Sequence, residues 1–311
     1  MLASSSHVAP SGCNQDGGRS NEYTHLLMAF ALEVVLDELL FPEAPRWRDG
    51  RLWLSEKRAG TVLAVDGAGR VTDRFPVPGE PGGIGWLPDG TMLVVSMASR
   101  SVLQVAGDLT TTTYVDLSDL TTFRCNDMVV DQRGNAYVGD FGYDLAAGAP
   151  PAPGVLVVVR AGSREARVAA DGLHFPNGSV VTANGDSLIV AESAANRLTA
   201  YDIDPTGTLL GRRVWAHLRD IVPDGICIDV EGAVWVADPL GNRVVRVHEG
   251  GRISTCIPTT QGAFACELGG DDGTTLYVCT YDAAASASPS PTPVGRLEST
   301  RVDVPAATID R

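Results

Sequence analysis

The sequence predicts an all-β protein, a six-bladed β-propeller with four-stranded antiparallel blades, and three observations carry that prediction. The first is a hairpin pattern. The stretch 123–140, FRCNDMVVDQRGNAYVGD, is apolar at Met128-Val129-Val130, turn-like from Asp131 to Asn135 and apolar again at Ala136-Tyr137-Val138. The second is recurrence: Asp49-Gly50, Asp89-Gly90, Arg133-Gly134, Asn184-Gly185, Glu231-Gly232 and Asp272-Gly273 mark six such turns, spaced by roughly 40–50 residues, which points to a repeat architecture. The third is the near absence of helical periodicity between them. Further turns at 67–69, 205–207 and Gly250-Gly251 leave room for two more strands per unit. A solenoid fits less well because no shorter period is present.

Taken in order, residues 1–27 are Ser-, Gly- and Asn-rich and are expected to form a disordered extension. Met28, directly before AFALEVVLDELLF, is a candidate start of the working protein, and 28–311 are expected to form a single propeller domain. The strand-like Glu33–Leu39 is left over from the repeat pattern, so it is expected to complete the sixth blade beside 296–304 and close the ring. Segment 25–40 is interrupted by Glu33, Asp37 and Glu38 and has no basic flank or small-residue cleavage site, so no secretion signal is expected. No apolar run approaches the roughly 18–20 residues that cross a bilayer. Two Pro- and Ala-rich loops, 141–154 and 281–295, are either plain surface loops or a lid, and Phe141, Tyr143 and Tyr281 would supply apolar walls.

With 38 acidic against 24 basic residues the chain carries a formal charge of −14, which argues against nucleic-acid or anionic-membrane partners. A neutral or cation-assisted small ligand fits better. The six cysteines lack C-x-x-C spacing and several sit in apolar runs, so buried free thiols in a reducing cytoplasm are expected. The five histidines form no spaced pair, and G-x-S-x-G, P-loop and G-x-G-x-x-G signatures are absent.

Four hairpins open on an oxygen-bearing side chain: Glu43, Asn126 (with Asp127), Asn177 and Asp224. A turn carboxylate is ordinarily just solvated, and Asn177 and Asp224 stand between Pro and Gly as turn residues in any protein would. Their matching phase in separate repeats changes the weighing. The first strand of each propeller blade starts at one mouth of the central channel, so the four converge there. Such an all-oxygen set suits a hard divalent cation, and few protein ligands leave coordination positions open for Lewis-acid chemistry. Arg124 is either a surface residue or a donor to a substrate oxygen. Glu192 and Asp238, ending second strands, lie near the same rim.

The motifs Phe41-Pro42-Glu43-Ala44-Pro45-Arg46-Trp47, Arg124-Cys125-Asn126-Asp127, Phe175-Pro176-Asn177-Gly178 and Pro223-Asp224-Gly225-Ile226 together resemble the SMP-30/gluconolactonase/luciferin-regenerating-enzyme-like family of six-bladed propellers. The resemblance covers about 36–304. It implies a metal-dependent hydrolase that opens a lactone, with Glu43, Asn177 and Asp224 as ligands of one divalent cation. Ca²⁺ is ranked first among Ca²⁺, Zn²⁺, Mn²⁺ and Mg²⁺. It further implies that Asp224 acts as general base, Asn126 sits at the metal or the reacting substrate, and Arg124 binds substrate. Phe141 is added as an apolar substrate wall. The expected partner is a small-molecule lactone and the expected location the cytoplasm. Two alternatives stand: the same site used for a cyclisation, dehydration or other hydrolysis in a biosynthetic pathway, or a non-catalytic ligand-binding propeller. The chain departs from the resemblance at Ala44, where many members have Gly, and in its two long loops, which lean toward an apolar substrate.

Overall fold

A computed structural model describes residues 30–284 and 292–307, and there the predicted hairpins become twenty-four strands in six four-stranded antiparallel sheets. Blades 1 to 5 span 42–76, 81–116, 125–173, 176–217 and 226–258. Blade 6 combines 262–301 with the N-terminal strand Glu33–Leu39, which pairs with Gly295–Arg301 through Glu33↔Ser299, Val34↔Glu298, Leu36↔Leu297 and Leu39↔Gly295. The expected ring closure is therefore present. The first strands touch one another in sequence around the ring, from Pro42–Arg48 through to Gly262–Gly269 and back to Pro42–Arg48. They line the axis. The expected extension at 1–27, with Met28, and the middle of the 281–295 loop lie outside the described residues.

The core is divided among the gaps between blades. Six apolar clusters occur, one in each gap; Val180 and Ile189 of blade 4 pack on Val234, Val236 and Val245 of blade 5, and Leu39, Leu297 and Cys279 of blade 6 on Leu52, Leu54 and Leu63 of blade 1. This explains the strand compositions. Second strands such as Met92–Ser96 and Val234–Asp238 are buried on both faces and run apolar up to their last residue, whereas outer strands such as Val71–Pro76 carry exposed polar residues. Where adjacent first strands cross most closely there is no room for a side chain. A Cβ on Gly83 would lie 2.1 Å from Met128 N, and one on Gly178 2.5 Å from Ile226 N, so glycine lets adjacent first strands meet.

The acidic or hydroxyl residues that end second strands form a repeated latch. Glu56 Oε1 accepts from Leu40 N (2.9 Å), Asp140 Oδ2 from Thr122 N (2.9 Å), Glu192 Oε2 from His174 N (2.8 Å) and Asp238 Oδ1 from Val222 N (3.3 Å), while Ser96 Oγ donates to Pro78 O (2.6 Å). Each ties the segment that leads into its own blade's first strand, and so fixes the loops that carry the mouth residues. Glu192 and Asp238 thus serve the fold, ion-paired to Arg197 (2.9 Å) and Arg243 (2.8 Å) respectively. One expectation is corrected. Cys125, Cys227, Cys266 and Cys279 are buried free thiols, but Cys256 is disulfide-bonded, because pairing depends on which chain segments meet and not on local apolar context.

Candidate metal and substrate site

Five first strands are irregular near their start, Gly262–Gly269 between Ala263 and Ala265 and four others over three residues. In those four the register with the second strand slips between Glu43 and Arg46, Pro81 and Ile84, Cys125 and Met128, and Pro176 and Ser179. Such bulges re-aim side chains that a regular strand would send into the inter-blade cores. Glu43, Asn126 and Asn177 stand in or beside them, and together with Ala44, Arg46, Lys57, Met97 and Asp127 they line one small cleft at the axis. Asp224, just before the short strand Ile226–Ile228, reaches the same place: its charge acts on that of Glu43, and its carboxyl interacts with the Asn177 amide. The backbone is strained around this mouth. Phe41 (φ 114°), Glu80 (φ 67°) and Phe175 (φ 57°) each precede the proline that opens a first strand, and Ala44 adopts φ 47° beside Glu43.

The amides are oriented by neighbouring blades. Asn126 Nδ2 donates to Pro176 O (3.1 Å), and Asn177 Nδ2 donates to Ser193 Oγ (3.2 Å), which in turn donates to Pro223 O (2.6 Å). With both amide nitrogens committed, the amide oxygens are left to accept from a donor or to face a cation. The carboxylates are poised differently. Burial first, and the Asp127 charge, push the Glu43 carboxyl up to about 7 against the pull of Lys57. Burial and the Glu43 charge raise Asp224 well above the ordinary carboxylate value. Asp224 is 9% exposed and its Oδ1 is buried without a hydrogen-bond partner. Two acids held close, one with an orphaned oxygen, are what a bound cation would relieve. Among the described residues no group of three His, Cys, Asp or Glu side chains could hold a metal, and a cation bound here would need the two carboxylates to be completed by amide oxygens. That all-oxygen set fits a hard divalent ion.

Arg124 stands at the rim, half-exposed and ion-paired to Glu80. Phe141 stacks on Phe175 (4.6 Å), which meets Tyr143 edge-on (5.9 Å); on the other side Phe41 packs against Phe264 (4.8 Å) and Tyr281 (4.6 Å). Phe141 and Tyr143 are half-buried in one of these aromatic groups, whereas Tyr281 is fully buried and belongs to the packing against Phe41 and Phe264.

A family model described as the SMP-30/Gluconolactonase/LRE-like region matches residues 41–282. The chain belongs to this family. Regucalcin of Danio rerio is 30% identical over 260 residues, covering 76% of this chain and 81% of its own. In fold the chain is similar to a regucalcin of Agrobacterium tumefaciens described as a calcium-binding protein (TM-score 0.75, 20% identity, 89% and 95% of the two chains). It is also similar to a gluconolactonase of Xanthomonas campestris (TM-score 0.72, 19% identity, 98% and 99%).

Within this SMP-30-like frame, three mouth residues escaped sequence reasoning. Arg46 Nη2 grips both Asp127 oxygens (3.1 and 3.2 Å) and Met128 O (3.0 Å), fixing the floor of the cleft. Ser193 orients Asn177, and Lys57 lines the cleft itself. A signal was available for two of them. Lys57, Met97, Phe141 and Ser193 each follow a second strand, and their backbone N–H groups donate to Phe41, Glu80, Arg124 and Phe175 oxygens at 2.9–3.1 Å, so they are equivalent positions around one mouth.

Proposed function

We propose that this protein is a metal-dependent lactonase, gluconolactonase-like in its site, and the orphaned Asp224 Oδ1 beside Glu43 is the observation that carries the reading. Glu43, Asn177 and Asp224 hold one divalent cation, Ca²⁺ ranked ahead of Zn²⁺, Mn²⁺ and Mg²⁺. When bound, the cation supplies Lewis acidity to the lactone carbonyl. The chain's own groups do the rest. Asn126, with its amide nitrogen committed to Pro176 O, presents its oxygen to the reacting end of the substrate. Arg124 offers charged donors to a substrate oxygen at the rim, and Phe141 covers an apolar face of the ring. Asp224 Oδ1, the oxygen without a donor, accepts a proton from the attacking water as the water oxygen bonds to the carbonyl carbon; the ring C–O bond then breaks and that proton passes to the leaving alkoxide, giving a hydroxy acid. Family membership and the gluconolactonase and regucalcin relatives support this assignment. A cytoplasmic site of action is favoured by four buried free thiols, against the disulfide at Cys256, and no described helix is long and apolar enough to cross a membrane.

The test is a pH-indicator hydrolysis assay on aldono-, γ- and δ-lactones with metal-stripped protein reloaded by Ca²⁺, Mn²⁺, Mg²⁺ or Zn²⁺. Turnover is expected only with metal and falls at least about 100-fold in Asp224→Asn. Turnover indifferent to chelation, or none with any metal, overturns the assignment.

A further inference from the structure

The charges below the rim are paired, with one exception. Asp127 takes Arg46 at 3.1 Å and Glu80 takes Arg124, while a divalent cation would take Glu43 and Asp224. In the metal-free chain the Lys57 ammonium acts on both Glu43 and Asp224, yet it forms no ion pair or hydrogen bond within the described residues. Once a cation neutralises those two acids, Lys57 is left as a surplus positive charge inside the cleft. Its setting is built. The main chain is latched by Lys57 N to Phe41 O (3.0 Å), and the Nζ lies 5.2 Å from the ring of Phe41, just before blade 1, and 5.6 Å from the ring of Phe141, just after the second strand of blade 3. It spans the mouth between the two aromatic walls. At the outer edge Arg58 adds a second cation, over Phe41 (5.8 Å) and Tyr281 (5.6 Å). A chain with a formal charge of −14 thus gathers unpaired cations at this one opening.

An ammonium with three donors, partly desolvated between ring faces, attracts an anion more strongly than it would in water. The flat rings on either side suit an apolar body attached to that anion. We propose that Lys57 is a specificity-determining residue that binds a free carboxylate carried by the substrate, whose class is a lactone with a flat apolar body and a carboxylate substituent. The substrate class rests on the lactonase reading; the carboxylate site at Lys57 rests only on a cation taking Glu43 and Asp224.

The two are separated by a binding measurement and a kinetic one. In Ca²⁺-loaded protein, titration followed by NMR compares phenylacetate with phenylacetamide, which share shape and differ in charge. Wild type is expected to bind phenylacetate at least tenfold tighter. Lys57→Met should bring the two within about threefold, Lys57→Arg should keep most of the preference, and Arg124→Met should retain it, which excludes the rim arginine. Melting curves of each variant check that the fold is kept. An unchanged preference in Lys57→Met, or no preference in wild type, overturns the proposal. The kinetic arm compares aryl γ-lactones bearing a carboxylate with their carboxamides. The ratio of kcat/KM should fall at least tenfold in Lys57→Met, chiefly through KM, and a fall confined to kcat or an unchanged ratio refutes the substrate class. If no lactone is turned over, the lactonase reading and the substrate class fail while the phenylacetate pair still decides Lys57.

Discussion

Asp224→Asn should damage function while stabilising the metal-free protein. In the absence of a cation Asp224 is 9% exposed, lacks a partner for Oδ1 and sits in the field of Glu43 and Asp127. Glu43, pushed from 4.5 to about 7, shows the scale: at 1.36 kcal/mol per tenfold change in proton affinity, ionising it in the folded chain costs on the order of 3 kcal/mol. Both acids bind protons more tightly folded than unfolded. Their favourable contribution is therefore fully present at acid pH, and for Glu43 it is lost as pH rises from about 4.5 through about 7. Replacing Asp224 by a neutral amide removes one of the repelling charges, so at pH 8 in chelator the variant should gain about 1–2 kcal/mol, or roughly 2–8 °C in Tm. The same change removes a charged ligand, so the Tm rise that Ca²⁺ or Mn²⁺ gives wild type should largely vanish. Differential scanning calorimetry between pH 5 and 8, with chelator or with metal, reads both effects. A variant that melts below wild type in chelator at pH 8, or that keeps the full metal-induced rise, would refute the electrostatic reasoning.

Two further outcomes test the scaffold. Ala44 is buried at φ 47°, a region that costs an L-residue with a Cβ about 1 kcal/mol, so Ala44→Gly should raise Tm by roughly 1–4 °C; a lower Tm would show that the lost Cβ packing outweighs the strain. Glu192 is fully buried, and although burial would raise its proton affinity, hydrogen bonds from Arg197, Thr199 and His174 N–H hold it below the ordinary carboxyl value. Its contribution is present above the unfolded value and lost as pH falls, so Glu192→Gln should cost about 3 kcal/mol at pH 7, roughly 6–12 °C, with a shallower loss than wild type on acidification below pH 5; equal Tm values at pH 7 would remove the latch from the account.

The sequence alone determined the repeat, the blade number, the strand that closes the ring and the four polar openings, because these are properties of local pattern: turn residues at fixed spacing, apolar runs between them, and matching phase. The convergence of Glu43, Asn126, Asn177 and Asp224 followed from phase plus the rule that first strands share one mouth. Tertiary structure decided what local pattern does not encode. Arg46 and Asp127 are 81 positions apart and meet only because first strands pack around an axis. Nothing in the local sequence marks Lys57, which ring closure sets between Phe41 and Phe141. Glu192 and Asp238 end strands as the sequence indicates, yet Arg197 and Arg243, with the loops they latch, commit them to the fold instead of the cleft. Cys256 was indistinguishable by context from the buried free thiols, since a disulfide depends on the approach of distant segments. Spacing along the chain fixed which residues share a rim, and distances across the channel fixed which of their charges remain for a ligand.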